Sequence, residues 1–416
     1  MKRLYVYADF NWLKAPRLVG ELSYESLRGQ DSYSFCFDND WLRDYGNLHI
    51  SDDLYNYPGY QYTKQGRDIF GCFADALPDR WGRTLLKRRE QILAGEQGRA
   101  VRRLSSFDFL TGIDDFSRMG GFRFKEEMDG DYICTDKSLR IPPLTDLRTL
   151  IAASHEVEKS EEANTLPDKK WLMQLVQPGT SLGGARPKAG VVDTDNTLYV
   201  AKFPSHNDGY DVALWEHLCH IIASKAGINA ARTRIVNAGE RFHTLLSRRF
   251  DRTPDGHRVH FASAMTLLGL TDGDNADDGY GYLDIVDFML QHCCDVQQNL
   301  CELYRRVAFN ISVGNSDDHF RNHGFLLTVN GWTLSPAYDM NPTANRHLSL
   351  LINKNTNEAD TDILLASAGD YMLGNDVAEK IVNEVRAAVA CWREVAVRLG
   401  ASKHDIDAFS SVFDRT

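Results

Sequence analysis

Val313-Gly-Asn-Ser-Asp-Asp-His-Phe-Arg-Asn-His-Gly-Phe325, read with Leu334-Ser-Pro-Ala-Tyr-Asp-Met-Asn-Pro342, decides how this chain is understood. Asp317 stands five residues before Asn322, and Asp339 follows Asn322 by seventeen. Phosphoryl transfer needs such a set: one Asp to accept the proton of an attacking hydroxyl, and an Asn and a separate Asp to hold the metal that neutralises the phosphates. A D-x-x-x-x-N loop followed by a hairpin ending in a metal-binding Asp is the eukaryotic kinase layout in other residues. Asp and Asn are also ordinary turn formers, because their side chains bond nearby backbone groups, so the motif alone leaves a plain loop open. Asn330-Gly331, between Gly324-Phe-Leu-Leu-Thr-Val329 and Gly331-Trp-Thr-Leu334, is a hairpin signal. Such a hairpin delivers Asp339 just past a rigid strand.

Upstream segments supply the remaining parts. Thr180-Ser-Leu-Gly-Gly-Ala-Arg-Pro-Lys-Ala-Gly-Val-Val192 is rich in small residues that let backbone N–H groups approach an anion, and Lys188 adds a point charge. It is neither a Walker A loop nor G-x-G-x-x-G, and an ordinary hairpin turn is the competing reading. Leu198-Tyr-Val-Ala-Lys-Phe203 is a short β-type run carrying Lys202. That lysine either guards a sheet edge or pairs with phosphates and a helix glutamate. In Asp211 to Gly227, Leu214, Leu218, Ile221 and Ile222 recur at helical spacing, with Glu216 in the first turns as the candidate partner or as a solvated surface residue. Glycine loop, strand lysine, helix glutamate, catalytic Asp, Asn and metal Asp stand in the order of a protein kinase.

Ser181-Leu-Gly-Gly-Ala-Arg-Pro-Lys188, Leu246-Ser-Arg-Arg-Phe-Asp-Arg252, Gly314 to Asn322 and Leu334 to Asp339 resemble the HipA family of bacterial serine/threonine kinases, typically toxins of type II toxin–antitoxin modules. Gly20-Glu-Leu-Ser, Tyr33-Ser-Phe, Ile50-Ser and Phe73-Ala-Asp-Ala-Leu-Pro-Asp-Arg-Trp-Gly-Arg83 resemble that family's amino-terminal module. The resemblance implies an α+β, protein-kinase-like two-lobed fold, with a small β-containing nucleotide lobe, a helical lobe and an N-terminal α/β module. It implies ATP and Mg²⁺ as cofactors, with Asp317 as catalytic base and Asn322 and Asp339 as metal ligands. Gly183, Gly184, Ala185, Arg186, Pro187 and Lys188 would form the phosphate loop. Lys202 would contact phosphate with Glu216 as its ion-pair partner, and Arg248, Arg249 and Phe250 would lie at the adenine-side hinge. His319 and Tyr338 would sit beside the nucleotide, and Ser181 matches the autophosphorylated serine. A phosphate there adds roughly −1.5 to −2 charge next to an anion-binding backbone. The implied partners are a protein substrate, with translation-related proteins as one class, and a HipB-like DNA-binding antitoxin. The chain would meet DNA only through that antitoxin.

Some positions depart from the family pattern. Arg186-Pro187 replaces a more usual Gln or Glu before the lysine, and Arg248-Arg249 stands where an acidic residue is common. His319 and His323 have the spacing of a helical metal pair but lack the Glu of H-E-x-x-H.

Composition excludes some classes. Lys+Arg 47 against Asp+Glu 58 gives a net charge of −11, which argues against broad nonspecific nucleic-acid binding. Arg83, Lys87, Arg88, Arg89, Arg99, Arg102 and Arg103 form a local basic stretch, read first as a solvated helical face and second as a phosphate or acidic-partner contact. No apolar run reaches about 18 residues and no hydrophobic stretch follows Met1-Lys-Arg, so neither a membrane span nor a signal peptide is expected. The eight cysteines contain no CxxC pair, which fits reduced thiols in the cytoplasm.

The expected organisation is an N-terminal α/β module over 1–125, a linker and nucleotide-binding lobe over 126–260, and a mainly helical catalytic lobe over 261–416. Strands are expected at Ala189 to Val192, Leu198 to Phe203, Thr233 to Ala238 and Phe242 to Arg249, and helices at Leu283 to His292, Leu300 to Val313 and Val377 to Leu399. A helical stretch over Phe70 to Leu93 should break near Pro78. Three functions stay open at this point: a protein kinase, a kinase-like phosphotransferase for a small-molecule hydroxyl, and a non-catalytic partner-binding module.

Overall fold

The computed structural model describes residues 1–27, 29–64, 67–134, 141–176 and 186–414. The chain forms two compact units, one of residues 1–207 and 251–262, the other of 208–250 and 263–416. These units follow packing, whereas the three sequence spans divide the chain by role.

In the first unit, β1 (Lys2–Ala8), β2 (Arg17–Leu27) and β3 (Gln30–Phe37) precede α1 (Asn39–Tyr45), β4 (Tyr60–Tyr62), α2 (Gly71–Ala74), α3 (Arg80–Glu96), α4 (Ser106–Thr111) and β5 (Phe122–Lys125). The strands pair antiparallel in the order β4-β3-β2-β1-β5. Alternation puts Leu4, Val6 and Ala8, then Tyr33, Phe35 and Phe37, then Phe122 and Phe124 on the buried face. Gly20 is required where β2 passes β3, since a Cβ there would lie 2.2 Å from the Cys36 carbonyl oxygen. The expected break falls at Leu77-Pro78-Asp79, between α2 and α3, and Asp79 caps α3 by accepting the Gly82 N–H at 2.7 Å. α5 (Leu147–Glu162) and α6 (Lys169–Val176) lead to the antiparallel pair β6 (Lys188–Val192) and β7 (Leu198–Lys202).

Three members of the basic stretch are neutralised within this unit. Arg88 bonds Glu161, while Arg99 and Arg102 converge on the buried Glu90, whose carboxyl the Arg99 guanidinium holds well below the usual range. Residues 251–262 belong to the same unit through a buried ion network. Asp251 accepts the Gly120 N–H at 2.9 Å, Arg252 reaches the Phe116 and Arg118 carbonyls, and Arg258 bonds Asp115, which also takes Arg123 at 2.6 Å.

The second unit begins with α7 (Val212–Lys225), β8 (Thr233–Val236) and β9 (Thr244–Arg248), the last two an antiparallel pair. After β10 (His260–Ser263) come α8 (Ala264–Leu267), α9 (Tyr282–His292), α10 (Val296–Val313), β11 (Gly324–Thr328) and β12 (Gly331–Leu334). α11 (Thr361–Ala366), α12 (Asn375–Val389), α13 (Trp392–Leu399) and α14 (Lys403–Phe413) complete it. The single helix expected over Val377 to Leu399 is two, parted at Ala390-Cys391. Trp392 stacks on Phe413 at 4.9 Å and Phe409 packs on Trp215 at 4.0 Å, which ties α14 to α13 and α7. All eight cysteines are free thiols, and no helix among the described residues is long and apolar enough to cross a membrane.

Asp114 provides a test of the buried network. Burial pushes its carboxyl up to about 6; the Ser117 N–H opposes that shift and neighbouring Asp115 adds to it. The folded protein therefore holds this proton more tightly than the unfolded chain, where Asp titrates near about 3.9. Its contribution to stability should decline as pH rises from about 4 to about 6 and be level above that. Wild-type stability minus that of Asp114→Asn, measured by denaturant titration across the window, is expected to fall; a flat difference would contradict the reading.

Candidate functional site

The loop is built from the end of α10. Gly314 ends that helix with φ +64°, and a Cβ there would lie 2.3 Å from the Thr343 carbonyl oxygen, so the position needs glycine. The Thr343 N–H and hydroxyl donate to the Gly314 carbonyl at 3.1 and 2.6 Å. Asp318, 5% exposed, then turns inward. Its Oδ2 accepts from the Tyr282 hydroxyl at 2.7 Å, Asn310 Nδ2 at 2.6 Å and His323 Nε2 at 2.8 Å. Burial alone would raise this carboxyl; the His323 imidazole and the Tyr282 hydroxyl outweigh it and hold the group below the usual range. The Tyr282 hydroxyl is pushed up by its own burial and by Asp318.

Asp317, by contrast, is exposed. Its carbonyl accepts the His319 N–H at 3.1 Å and Asn322 Nδ2 at 3.0 Å, and the Asn322 N–H donates to the His319 carbonyl at 2.8 Å. A short 3₁₀ turn, Phe320–Asn322, thus brings Asn322 back onto Asp317, and the five-residue spacing becomes spatial adjacency. His319 and His323 flank this turn rather than share a helix face, and the His323 ring is engaged by Asp318.

Asp339 is positioned by β11 and β12, paired from Phe325↔Leu334 to Thr328↔Gly331. The connecting residues are Val329-Asn330, one place earlier than the Asn330-Gly331 signal implied. Gly331 opens β12 instead, because its φ of +124° and an approach of 2.8 Å between a built Cβ and the His292 carbonyl oxygen both demand glycine. Past the hairpin, the Ala337 N–H donates to Asn229 and the Ala337 carbonyl accepts from Ala231. The Tyr338 hydroxyl donates to the Arg321 carbonyl at 2.7 Å, and its ring lies 5.6 Å from that of Phe250. Asp339 takes φ +57°, a conformation Asp tolerates better than most residues. Its Oδ1 accepts Asn341 Nδ2 at 3.1 Å, while the Asn341 N–H bonds Asn315 Oδ1 at 3.2 Å.

The oxygens gathered on these segments suit Mg²⁺. Asn322 directs its Nδ2 to a carbonyl, which leaves its Oδ1 as a donor oxygen. Asp339 offers a carboxylate, and Asn341 Oδ1 is buried with no hydrogen-bond partner. Hard oxygens in small number fit Mg²⁺, which keeps waters and takes substrate phosphates rather than a full protein cage.

The other candidates fall in both units. Glu216 in α7 is 3% exposed, which removes the solvated-surface reading, because a buried carboxylate needs compensation. Arg248 and Phe250 are half-buried and Arg249 is buried. In the first unit Lys188 opens β6 and Lys202 closes β7 directly opposite it. Lys188 is buried with its ammonium 3.0 Å from Asp79, Pro187 is buried and Arg186 half-buried. Ser181, Gly183, Gly184 and Ala185 lie outside the described residues. Sequence reasoning missed Tyr282, Asn310, Asn315, Asp318 and Asn341 as the scaffold of the loop. The one legible hint was Asn310, a polar residue in the apolar run Val307 to Val313 of α10.

Residues 180–392, just over half of the chain, match the HipA-like C-terminal domain. A Haemophilus influenzae protein named as a candidate kinase is 27% identical over 181 residues, 39% of this chain and 52% of that protein. The serine/threonine-protein kinase toxin HipA of Shewanella oneidensis is 24% identical over 225 residues, 48% of this chain and 50% of that protein. The chain thus spans about half the length of the curated relatives it matches. The solved complex of HipA, HipB and operator DNA from Shewanella oneidensis contains a chain that superposes with a TM-score of 0.70 at 17% identity, over 99% of this chain and 96% of that one. The fold is accordingly α+β and HipA-like.

The two adjacent aspartates should separate cleanly on substitution. Asp318→Ala strands three buried donors and should cost about 3–5 kcal/mol in denaturant unfolding, as for a broken buried charge pair. Asp317→Ala, at an exposed position, should stay within about 0.5 kcal/mol of wild type. Equal losses would mean that Asp318 is not the scaffold.

Proposed function

The chain belongs to the HipA family, and from that premise we propose that it is a serine/threonine protein kinase that transfers the γ-phosphate of ATP to a protein hydroxyl. The observation that carries this reading is the division of labour in the loop: Asp318 buried as scaffold, Asp317 exposed, Asn322 folded onto Asp317, and Asp339 held beyond the hairpin. Asp317 accepts the proton of the acceptor hydroxyl as it attacks. Asn322 and Asp339 hold Mg²⁺, which when bound neutralises phosphate charge. Lys202 contacts the phosphates with Glu216 as its counter-ion, and the loop from Gly183 to Arg186 supplies backbone N–H groups. Arg248, Arg249 and Phe250 form the adenine side, with Tyr338 and His319 beside the nucleotide. Ser181 is the autophosphorylation site, and phosphate there draws the loop from ATP. In this reading the protein is a growth-inhibiting cytoplasmic toxin, restrained by a HipB-like antitoxin that contacts operator DNA on its behalf. The antitoxin rests on the family and on the HipB present in the structurally similar complex.

The test is incubation with Mg²⁺ and γ-labelled ATP, followed by mapping of the label. Wild type should label Ser181, and Asp317→Asn should lose about 10²–10⁴-fold in transfer, the range for a missing general base, while ATP affinity is kept. Ser181→Ala should lose that label and resist self-inactivation. Intact ATP binding with no protein label would move the assignment to a small-molecule acceptor or a binding role.

A further inference from the structure

Lys188 follows the glycine loop directly, yet its side chain does not stay at the surface. It is 3% exposed, and its ammonium lies 3.0 Å from Oδ2 of Asp79, whose side chain is 1% exposed. The contact is an ion pair rather than an aligned hydrogen bond. Asp79 is itself fixed. Its Oδ1 accepts the Gly82 N–H at 2.7 Å and caps α3, and the buried Trp81, Leu85 and Leu86 seat that helix in the N-terminal module. Across the β6–β7 pair, Lys188 stands directly opposite Lys202. Side chains so placed share a face about 5 Å apart, and two like charges there repel. Asp79 offsets the charge of one of them. A lysine buried with no counter-ion would instead lose its proton or force the strand out.

We propose that Asp79 is a positioning residue for nucleotide binding. Through Lys188 it pins the first residue of β6, and with it both the exit of the glycine loop and the cross-strand place of Lys202. Lys188 serves as the anchor of that strand and not as a phosphate ligand. This departs from the role the family resemblance gave Lys188, and it rests on the kinase reading for its nucleotide. The motif Leu77-Pro-Asp-Arg-Trp-Gly82 then has a purpose beyond helix capping: the amino-terminal module holds the strand that follows the glycine loop.

The full chain is compared as wild type, Asp79→Asn, Lys188→Met and the double variant. Amide hydrogen exchange in β6 and β7 is read without nucleotide, and Mg²⁺–ATP affinity is read by titration. Asn keeps the cap through its own Oδ1, so Asp79→Asn removes the charge alone. Each single variant should speed exchange in β6 and weaken ATP binding at least about tenfold, the scale of one lost charge-assisted contact. The double variant, with no charge left unpaired, should recover most of both. Loss of ATP affinity in Lys188→Met but not in Asp79→Asn would overturn the proposal, since Lys188 would then touch the nucleotide itself. A lower melting temperature with unchanged β6 exchange and ATP affinity would also overturn it. If a single variant does not fold, the double decides: wild-type ATP affinity supports the anchor, and a folded double that cannot bind ATP refutes it. Should wild type bind no ATP, the kinase reading fails. The exchange arm still decides the anchor, with faster β6 exchange in Asp79→Asn and recovery in the double in its favour, and unchanged exchange against it.

Discussion

One buried carboxylate organises the candidate site. Asp318 gathers a phenol from α9, an amide from α10 and an imidazole from the far side of its own loop on a single oxygen. A carboxylate taken from water is costly unless its lone pairs are met, and here three donors meet them. The loop between α10 and β11 can therefore adopt one course only. Asp317 reaches solvent because its neighbour is held inside, and Asn322 returns to Asp317 because the chain between them has no slack.

The same segment is tied a second time, to the stretch that follows β12. Gly314 meets Thr343, Asn315 meets Asn341, and Arg321 meets Tyr338. Each bond crosses between the Asp317 loop and the Asp339 segment. The positive φ of Asp339, a conformation that costs of order 1 kcal/mol even where tolerated, persists because these bonds over-determine the backbone around it. Groups proposed to act on one phosphate would benefit from being fixed before the ligand arrives.

In the first unit charge plays a different part. Asp115, Arg118, Arg123, Arg258 and Asp251 make a buried network that draws residues 251–262, which directly follow the Arg-Arg-Phe stretch, into the N-terminal module. Asp79 and Lys188 do the same for the strand that follows the glycine loop. Both segments read from sequence as nucleotide-binding are thus continued by residues held in this unit. Arg88, Arg99 and Arg102 show the converse: a basic run can be internal wiring rather than a ligand surface.

Local patterns made much of this legible in advance. Short β-type runs located β6, β7, β8 and β9, and helical spacing located α7, α9 and most of α10, because local residue type and the burial of one face are written into neighbouring residues. Pro78 marked the break before α3, and the spacing of Asp317 and Asn322 marked the loop that the fold closes on itself. Other features turned on partners distant in the chain. Which of Asp317 and Asp318 is buried depends on Tyr282, Asn310 and His323. Whether Lys188 faces a ligand or an aspartate depends on Asp79, more than a hundred residues earlier. The hairpin register moved by one because His292 approaches Gly331. Residue type and spacing convey what a segment can do chemically; only packing against remote segments decides which of two equivalent charges is desolvated and which stays in water, because that choice is made by neighbours the local sequence does not contain.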